Sequence, residues 1–206
     1  MEIIDVSMTI QANMPVYKNK EEKRPRITVH KDFSSGNIYE AHIAMDMHTG
    51  THIDMPLHIL PGGASTDELD ITNLITTCVV LDMTDVKEKI TALELKNKDI
   101  KPGMFVLLET SNSYVESFIP EFVYLEATGA EYLKSLAVTG VGIDALGIER
   151  AQPDYPTHKI LLEQGIMIIE GLRLAEVKEG IYKLIALPLK IKGVEAVPAR
   201  VIIIKE

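Results

Sequence analysis

The sequence predicts an α/β domain built on a mixed β-sheet. Short segments rich in Val and Ile, most bounded by Gly, Pro, Asp or Asn, read as strands. Segments carrying helix-start signals are interleaved among them. No internal repeat or linker divides the 206 residues, so residues 1–206 are expected to form a single domain.

The expected strands are 2–6, 27–30, 38–47, 77–82, 104–109, 139–144, 166–170, 183–187 and 201–204. Thr91-Ala-Leu-Glu94 is a capping box that opens a short helix through about Asn97. Thr128-Gly-Ala-Glu131 reads as a second capping box, opening a helix through about Leu136 that turns Ala130, Leu133 and Leu136 towards a core. A third helix is expected from about His158 to Gln164, with Thr157 as N-cap and Gly165 as its stop.

Composition narrows the function classes. A hydrophobic share of 46% and a charged share of 25% are ordinary for a globular protein. The net charge of −9, with no basic patch interleaved with aromatics, argues against a nucleic-acid partner. The mixed-sign run KNKEEKRPR, residues 18–26, reads as a solvated loop. No apolar stretch approaches a membrane span, and the start MEIIDVS lacks the features of a signal peptide. The single cysteine, Cys78, sits in an apolar run and is expected to be a small core residue; a chain without a disulfide framework fits the cytoplasm.

The chemistry concentrates in HTGTHIDMPLH, residues 48–58, which holds His48, His52, Asp54 and His58. Metal bonds of roughly 2.0–2.2 Å place two donor atoms of one ion about 3–4 Å apart. A helix is disfavoured by Thr49, Gly50, Thr51 and Pro56. In a straight strand, His48 and His52 would lie roughly 13 Å apart. The chain must therefore turn at Gly50, after which His52 and Asp54 share one face of an extended segment. His58, beyond Pro56, is placed beside the metal, where a general base belongs. Three histidines at these intervals around an aspartate need partners if buried, and a catalytic metal answers that better than a cysteine-rich structural one. Thr49 and Thr51 are expected to be turn residues with locally bonded hydroxyls. His30 and His42, each alone on an apolar strand, are expected to be hydrogen-bonded core residues.

Further ligands must come from elsewhere, and residues 157–174 are the best neighbourhood. His158 begins a helix, and Glu170 ends the apolar run IMIIE before Gly171. By chemistry alone these two are equally well a helix-end histidine and a solvated acid.

The chain resembles the metal-dependent hydrolases of the bacterial kynurenine formamidase and putative cyclase family. Its motif H-x-G-T-H-x-D-x-P-x-H is met by His48, Gly50, Thr51, His52, Asp54, Pro56 and His58. Asp5-Val6-Ser7 resembles the family's opening D-L-[ST], and Val141-Gly142-Ile143-Asp144 its V-G-I-D strand. His158 with Leu161-Leu162, then Ile168-Ile169-Glu170-Gly171-Leu172, resembles the closing H-x-x-L-L and I-x-E-G-L pattern, so the likeness runs from about Asp5 to Leu187. It implies a two-metal site: His48, His52 and Asp54 around one ion, with Asp54 bridging to a second held by His158 and Glu170, and His58 as the acid/base. It also implies a swivelling β/β/α type of fold and a homodimer or homotetramer. The loop from about Gln11 to Arg26, with Met14, Val16 and Tyr17, is expected to pack on a partner subunit.

Three departures bear on substrate. Formamidases acting on N-formylkynurenine share a tryptophan after the first-loop proline. Here the run is Met14-Pro15-Val16-Tyr17, and the chain has no tryptophan. The serine common after V-G-I-D is absent from Asp144-Ala-Leu-Gly147-Ile-Glu149, and Glu109 replaces the arginine common before the middle-strand threonine, here Thr110. Tyr17 is a candidate pocket wall, with plain packing as the alternative.

The expected function is hydrolysis of a small amide, an aryl formamide such as N-formylkynurenine or a related lactam, using one or two divalent ions, zinc first and manganese as alternative. Two rivals stand beside it. One is a lactonase, cyclase or dehydratase on the same metals; the other is a non-catalytic metal-binding protein, which would have no need of His58.

Overall fold

A computed structural model describes residues 1–205. The strands are β1 (Glu2–Asp5), β2 (Arg26–Lys31), β3 (Glu40–Ala44), β4 (His52–Asp54), β5 (Ile75–Asp82), β6 (Lys89–Ile90), β7 (Phe105–Glu109), β8 (Tyr124–Leu125), β9 (Gly140–Ile143), β10 (Met167–Glu170), β11 (Gly180–Pro188) and β12 (Ala196–Lys205). The helices are α1 (Ala92–Leu95), α2 (Ala127–Ser135) and α3 (Pro156–Leu162). The main sheet runs β1-β12-β11-β5-β7-β9-β10-β4, and β4 pairs back onto β12, closing a seven-stranded mixed barrel with β1 on its flank. Among the described residues, no helix is long and apolar enough to cross a membrane.

Strand alternation explains the layers. β5, β7, β9 and β10 run parallel and are covered on both faces, which is why they read as nearly continuous apolar runs. Cys78, Val80, Phe105, Leu107 and Ile169 point into the barrel with Ile53, Leu184 and Val201. Val79, Leu81, Val106, Leu108, Val141, Ile143 and Ile168 point outwards, to the layer built by α1, α2 and α3. Phe105 fills the barrel beside Gly140, where a Cβ would come within 2.0 Å of its ring. Cys78 is a core residue as expected, with burial pushing its thiol up to about 12.

Several expectations are corrected. The Thr91–Glu94 capping box is present, but α2 is capped two residues earlier than expected, by Glu126, whose carboxylate accepts from Thr128 N. α3 starts at Pro156 with Tyr155 as N-cap in the left-handed region, φ 53°, and Thr157 lies inside the helix with its hydroxyl donated to Leu125 O. β2 and β3 form a hairpin exposed along its whole length, so His30 and His42 lie on the surface, their rings 5.7 Å apart, rather than in the core. Met14 and Val16 are buried within their own chain against Met8, Ile10 and Leu146, so they are not free to pack on a partner.

Candidate metal centre

The sequence around Gly50 folds into a turn followed by a short strand. Asp46 starts the turn, its carboxylate accepting from His48 N and its carbonyl from Thr49 N. Gly50 takes φ 69°, and a Cβ there would meet Ile10 Cδ1 at 2.7 Å. Gly171, also at φ 69°, lies against Gly50 with room for no side chain: its Cβ would come within 2.3 Å of Gly50 O. The Thr51 hydroxyl ties the two segments, donating to Gly171 O at 2.6 Å and accepting from Met8 N at 2.7 Å. These close approaches set the antiparallel register of β4 on β10, with Glu170 opposite His52 and Ile168 opposite Asp54. Because Ile53 and Ile169 face the barrel interior, His52, Asp54 and Glu170 face outwards, beneath α3.

All six residues expected from the sequence meet there. His48 Nδ1 lies 3.1 Å from Asp54 Oδ1 and 3.2 Å from His52 Nε2, and His52 Nε2 lies 3.4 Å from Asp54 Oδ1. On the other side, His158 Nε2 lies 3.5 Å from Asp54 Oδ2 and 3.5 Å from Glu170 Oε1. Glu170 Oε2 is also 3.3 Å from His52 Nε2, while Oε1 accepts from Ile148 N at 2.6 Å. His58 ends the turn Pro56–His58 and faces solvent, its ring 4.3 Å from that of His48 and 5.5 Å from that of His158. His48, Asp54 and His58 each offer a donor atom within 4.8 Å of the others, as do His52, Asp54 and Glu170.

Among the described residues, the buried side-chain atoms left without a hydrogen-bond partner are the two carboxylate oxygens of Asp54. A buried carboxylate so placed is costly unless something else compensates it. Three imidazole nitrogens stand 3.1, 3.4 and 3.5 Å from these oxygens, the spacing of donors that share an ion. The residues therefore fit divalent metal.

Two flanking acids were not singled out from the sequence. Glu149 is buried and accepts from His158 Nδ1 at 2.5 Å. Glu195, just before β12, lies 3.5 Å from His48 Nε2. The only signal for Glu149 was an acid in the run after the V-G-I-D strand; Glu195 left none. A cavity of about 340 Å³ opens over the centre, lined also by Tyr17, Leu146 and Tyr155 and by Lys18 and Lys23. Tyr17 is half-buried and packed edge-on against Phe118 and Phe122. Tyr155, also unforeseen, is 57% exposed.

The charges are strongly linked. Burial pulls His52 down, but Asp54 and Glu170 beside it raise it to about 10. His158 is raised against the same burial by Asp54, Glu149 and Glu170. Burial and the Asp54 charge push Glu170 up, while His158 and His52 hold it at about 2. In the metal-free protein, stability from His52 is complete below its unfolded value of 6.5 and is lost as pH rises towards about 10. Stability from Glu170 is complete above 4.5 and is lost as pH falls towards about 2. Chelated protein should therefore melt highest between 4.5 and 6.5. Metal, which replaces these protons, should move the optimum upwards. A series of melting temperatures against pH, with and without chelator, tests this; chelated protein whose Tm climbs steadily above that window would contradict it.

Comparison with known proteins gives the family. The family model described as "Cyclase: Putative cyclase" matches residues 4–150. The chain belongs to the putative cyclase family. A kynurenine formamidase of Salinibacter ruber is 30% identical over 206 residues, 98% of this chain and 97% of the relative. A predicted metal-dependent hydrolase from Bacillus stearothermophilus has a solved structure that is 46% identical, with a TM-score of 0.90 over 98% of this chain and 97% of that one. Isatin hydrolase A from Labrenzia aggregata, 24% identical, shares the fold with a TM-score of 0.84 over 98% and 93% of the two chains. The relatives' named activities differ, a kynurenine formamidase and a metal-dependent hydrolase, while the isatin hydrolase shows the fold alone.

Proposed function

We propose that this protein opens a small non-peptide amide, an aryl formamide such as N-formylkynurenine or a related lactam, with divalent metal. The observation that carries the proposal is the buried Asp54 carboxylate, bare of hydrogen bonds and ringed by His48, His52 and His158. His48, His52 and Asp54 would hold one ion, and Asp54, His158 and Glu170 a second. Zinc suits this histidine and carboxylate set, with manganese as the alternative. Bound metal would supply Lewis acidity and a water of lowered pKa.

His58 is the acid/base. Partial desolvation at the edge of the cluster and the neighbouring His48 and His158 lower it from its usual range, against the opposing charges of Asp54 and Glu170. The shift favours the neutral form although the ring faces solvent. It takes a proton from the attacking water and returns one to the leaving nitrogen, which departs poorly as an anion. Tyr17 and Leu146 offer an apolar wall to the acyl-arylamine, and Glu170 is fixed by the Ile148 amide.

Side-by-side assay of an N-formyl arylamine, a lactam and a lactone on metal-loaded protein tests the reaction class. Amide or lactam turnover is expected. Turnover confined to the lactone would move the chain to a lactonase, and none at all would contradict the proposal. Without the first-loop tryptophan, an aryl ring loses a stacking contact of about 0.5–1.5 kcal/mol, roughly two- to tenfold in binding, so preference among formanilides should be weak. Near diffusion-limited efficiency on N-formylkynurenine, far above simpler formanilides, would contradict that.

The same proposal covers the swivelling β/β/α class, a cytoplasmic setting in tryptophan breakdown, and assembly into a homodimer or homotetramer. Assembly is supported by the β2–β3 hairpin, which leaves Val29 51%, Phe33 75% and Tyr39 57% exposed. An isolated two-stranded hairpin is marginal in water, and a second copy would cover this apolar surface. Light scattering at micromolar concentration should give a dimer or tetramer; a monomer would contradict it.

A further inference from the structure

We infer that Glu149 is the positioning residue of the second metal position, fixing the His158 ring so that Nε2 faces Asp54 and Glu170. The inference rests on the two-metal proposal and adds to it an inequality between the two positions.

Glu149 is 5% exposed, and its two oxygens accept four N–H groups. Oε1 takes His158 Nδ1 at 2.5 Å and His158 N at 3.0 Å; Oε2 takes Gln152 Nε2 at 2.7 Å and Thr157 N at 3.2 Å. The N-cap of α3, Tyr155, offers no side-chain bond to the helix, so Glu149 satisfies the first-turn amides from outside. One carboxylate thus anchors both the start of α3 and the ring of His158. With Nδ1–H donated to Glu149, the Nε2 lone pair is the one presented to metal.

The other two histidines are held differently. His52 Nδ1 lies 2.9 Å from a neutral carbonyl, Gly50 O. His48 Nε2 has only Glu195 at 3.5 Å, a side chain 41% exposed. His158 alone is backed by a buried full charge, and its position also draws on two carboxylates, Asp54 and Glu170. A carboxylate behind a ligating histidine orients the ring and raises its basicity, and its loss costs about 10- to 100-fold in metal affinity. The position at His158 is therefore the tighter of the two, and Glu149 is part of the reason.

The test is chelator competition with zinc on wild type and Glu149→Gln, read as two separate affinities, with Tm measured metal-free and metal-loaded. Wild type should bind two equivalents. Glu149→Gln should weaken the tighter one by about 10- to 100-fold, leave the weaker nearly unchanged, and shrink the rise in Tm that zinc confers. Two wild-type affinities in the variant, with Tm lowered equally in both forms, would overturn the positioning role and leave the two-metal proposal standing. Wild type that binds no zinc would overturn both. Should Glu149→Gln fail to fold, nitrogen NMR of zinc-loaded wild type decides: His158 should keep its proton on Nδ1 and ligate through Nε2, and ligation through Nδ1 would overturn the inference.

Discussion

Asp54→Ala is expected to lose both metal equivalents and turnover together. Asp54 is the one side chain common to both donor sets, with Oδ1 towards His48 and His52 and Oδ2 towards His158. Its removal leaves two imidazoles on one side and a single histidine–carboxylate pair on the other, too few donors for tight binding of a divalent ion. Turnover should fall by on the order of a thousandfold or more, because bound metal would supply the water of lowered pKa on which the proposed reaction depends. Elemental analysis and initial rates on the same preparation check this. Retention of both ions by Asp54→Ala would show that the bridging role is assigned to the wrong carboxylate.

His58→Ala should behave in the opposite way, keeping metal while turnover drops by roughly a hundredfold or more. His58 is the member of the cluster that faces solvent, and its ring stands between those of His48 and His158 rather than against the Asp54 oxygens alone. Since a base works in its neutral form, wild-type kcat/KM should fall as pH drops through a value below 6.5, the direction that partial desolvation and the neighbouring histidines impose on His58. That limb should disappear in His58→Ala. The variant that loses metal along with rate would make His58 a ligand, which its proximity to His48 and Asp54 permits. Wild-type rates in the variant would move the acid/base role elsewhere.

The centre was legible where its geometry is local. His52 and Asp54, two apart, needed only an extended segment to share a face, and Gly50 was the residue between His48 and His52 able to turn the chain. Glu170 and His158 could be nominated but not joined to them, because the junction depends on the β4–β10 register and on the backbone contact between Gly50 and Gly171. Periodicity carries no such information. Glu195 reaches His48 only because β12 closes the barrel against β4, pairing Ala196 with Asp54. The α3 start was misplaced because Tyr155 adopts a left-handed conformation that propensity disfavours and Glu149 supplies the capping from a distance. His30 and His42 were misassigned for a related reason: the alternation of β2 and β3 resembles a half-buried strand pair, yet among the described residues nothing covers the hairpin. The apolar parallel strands, in contrast, announced themselves, since burial on both faces leaves little room for polar residues.

The most direct test of a two-metal centre bridged by Asp54 is a crystal of the zinc- or manganese-soaked protein, read by anomalous scattering. The account predicts two peaks flanking the Asp54 carboxylate, one among His48, His52 and Asp54 and the other among Asp54, His158 and Glu170. An absence of peaks at saturating metal, or ions bound only away from Asp54, would contradict it.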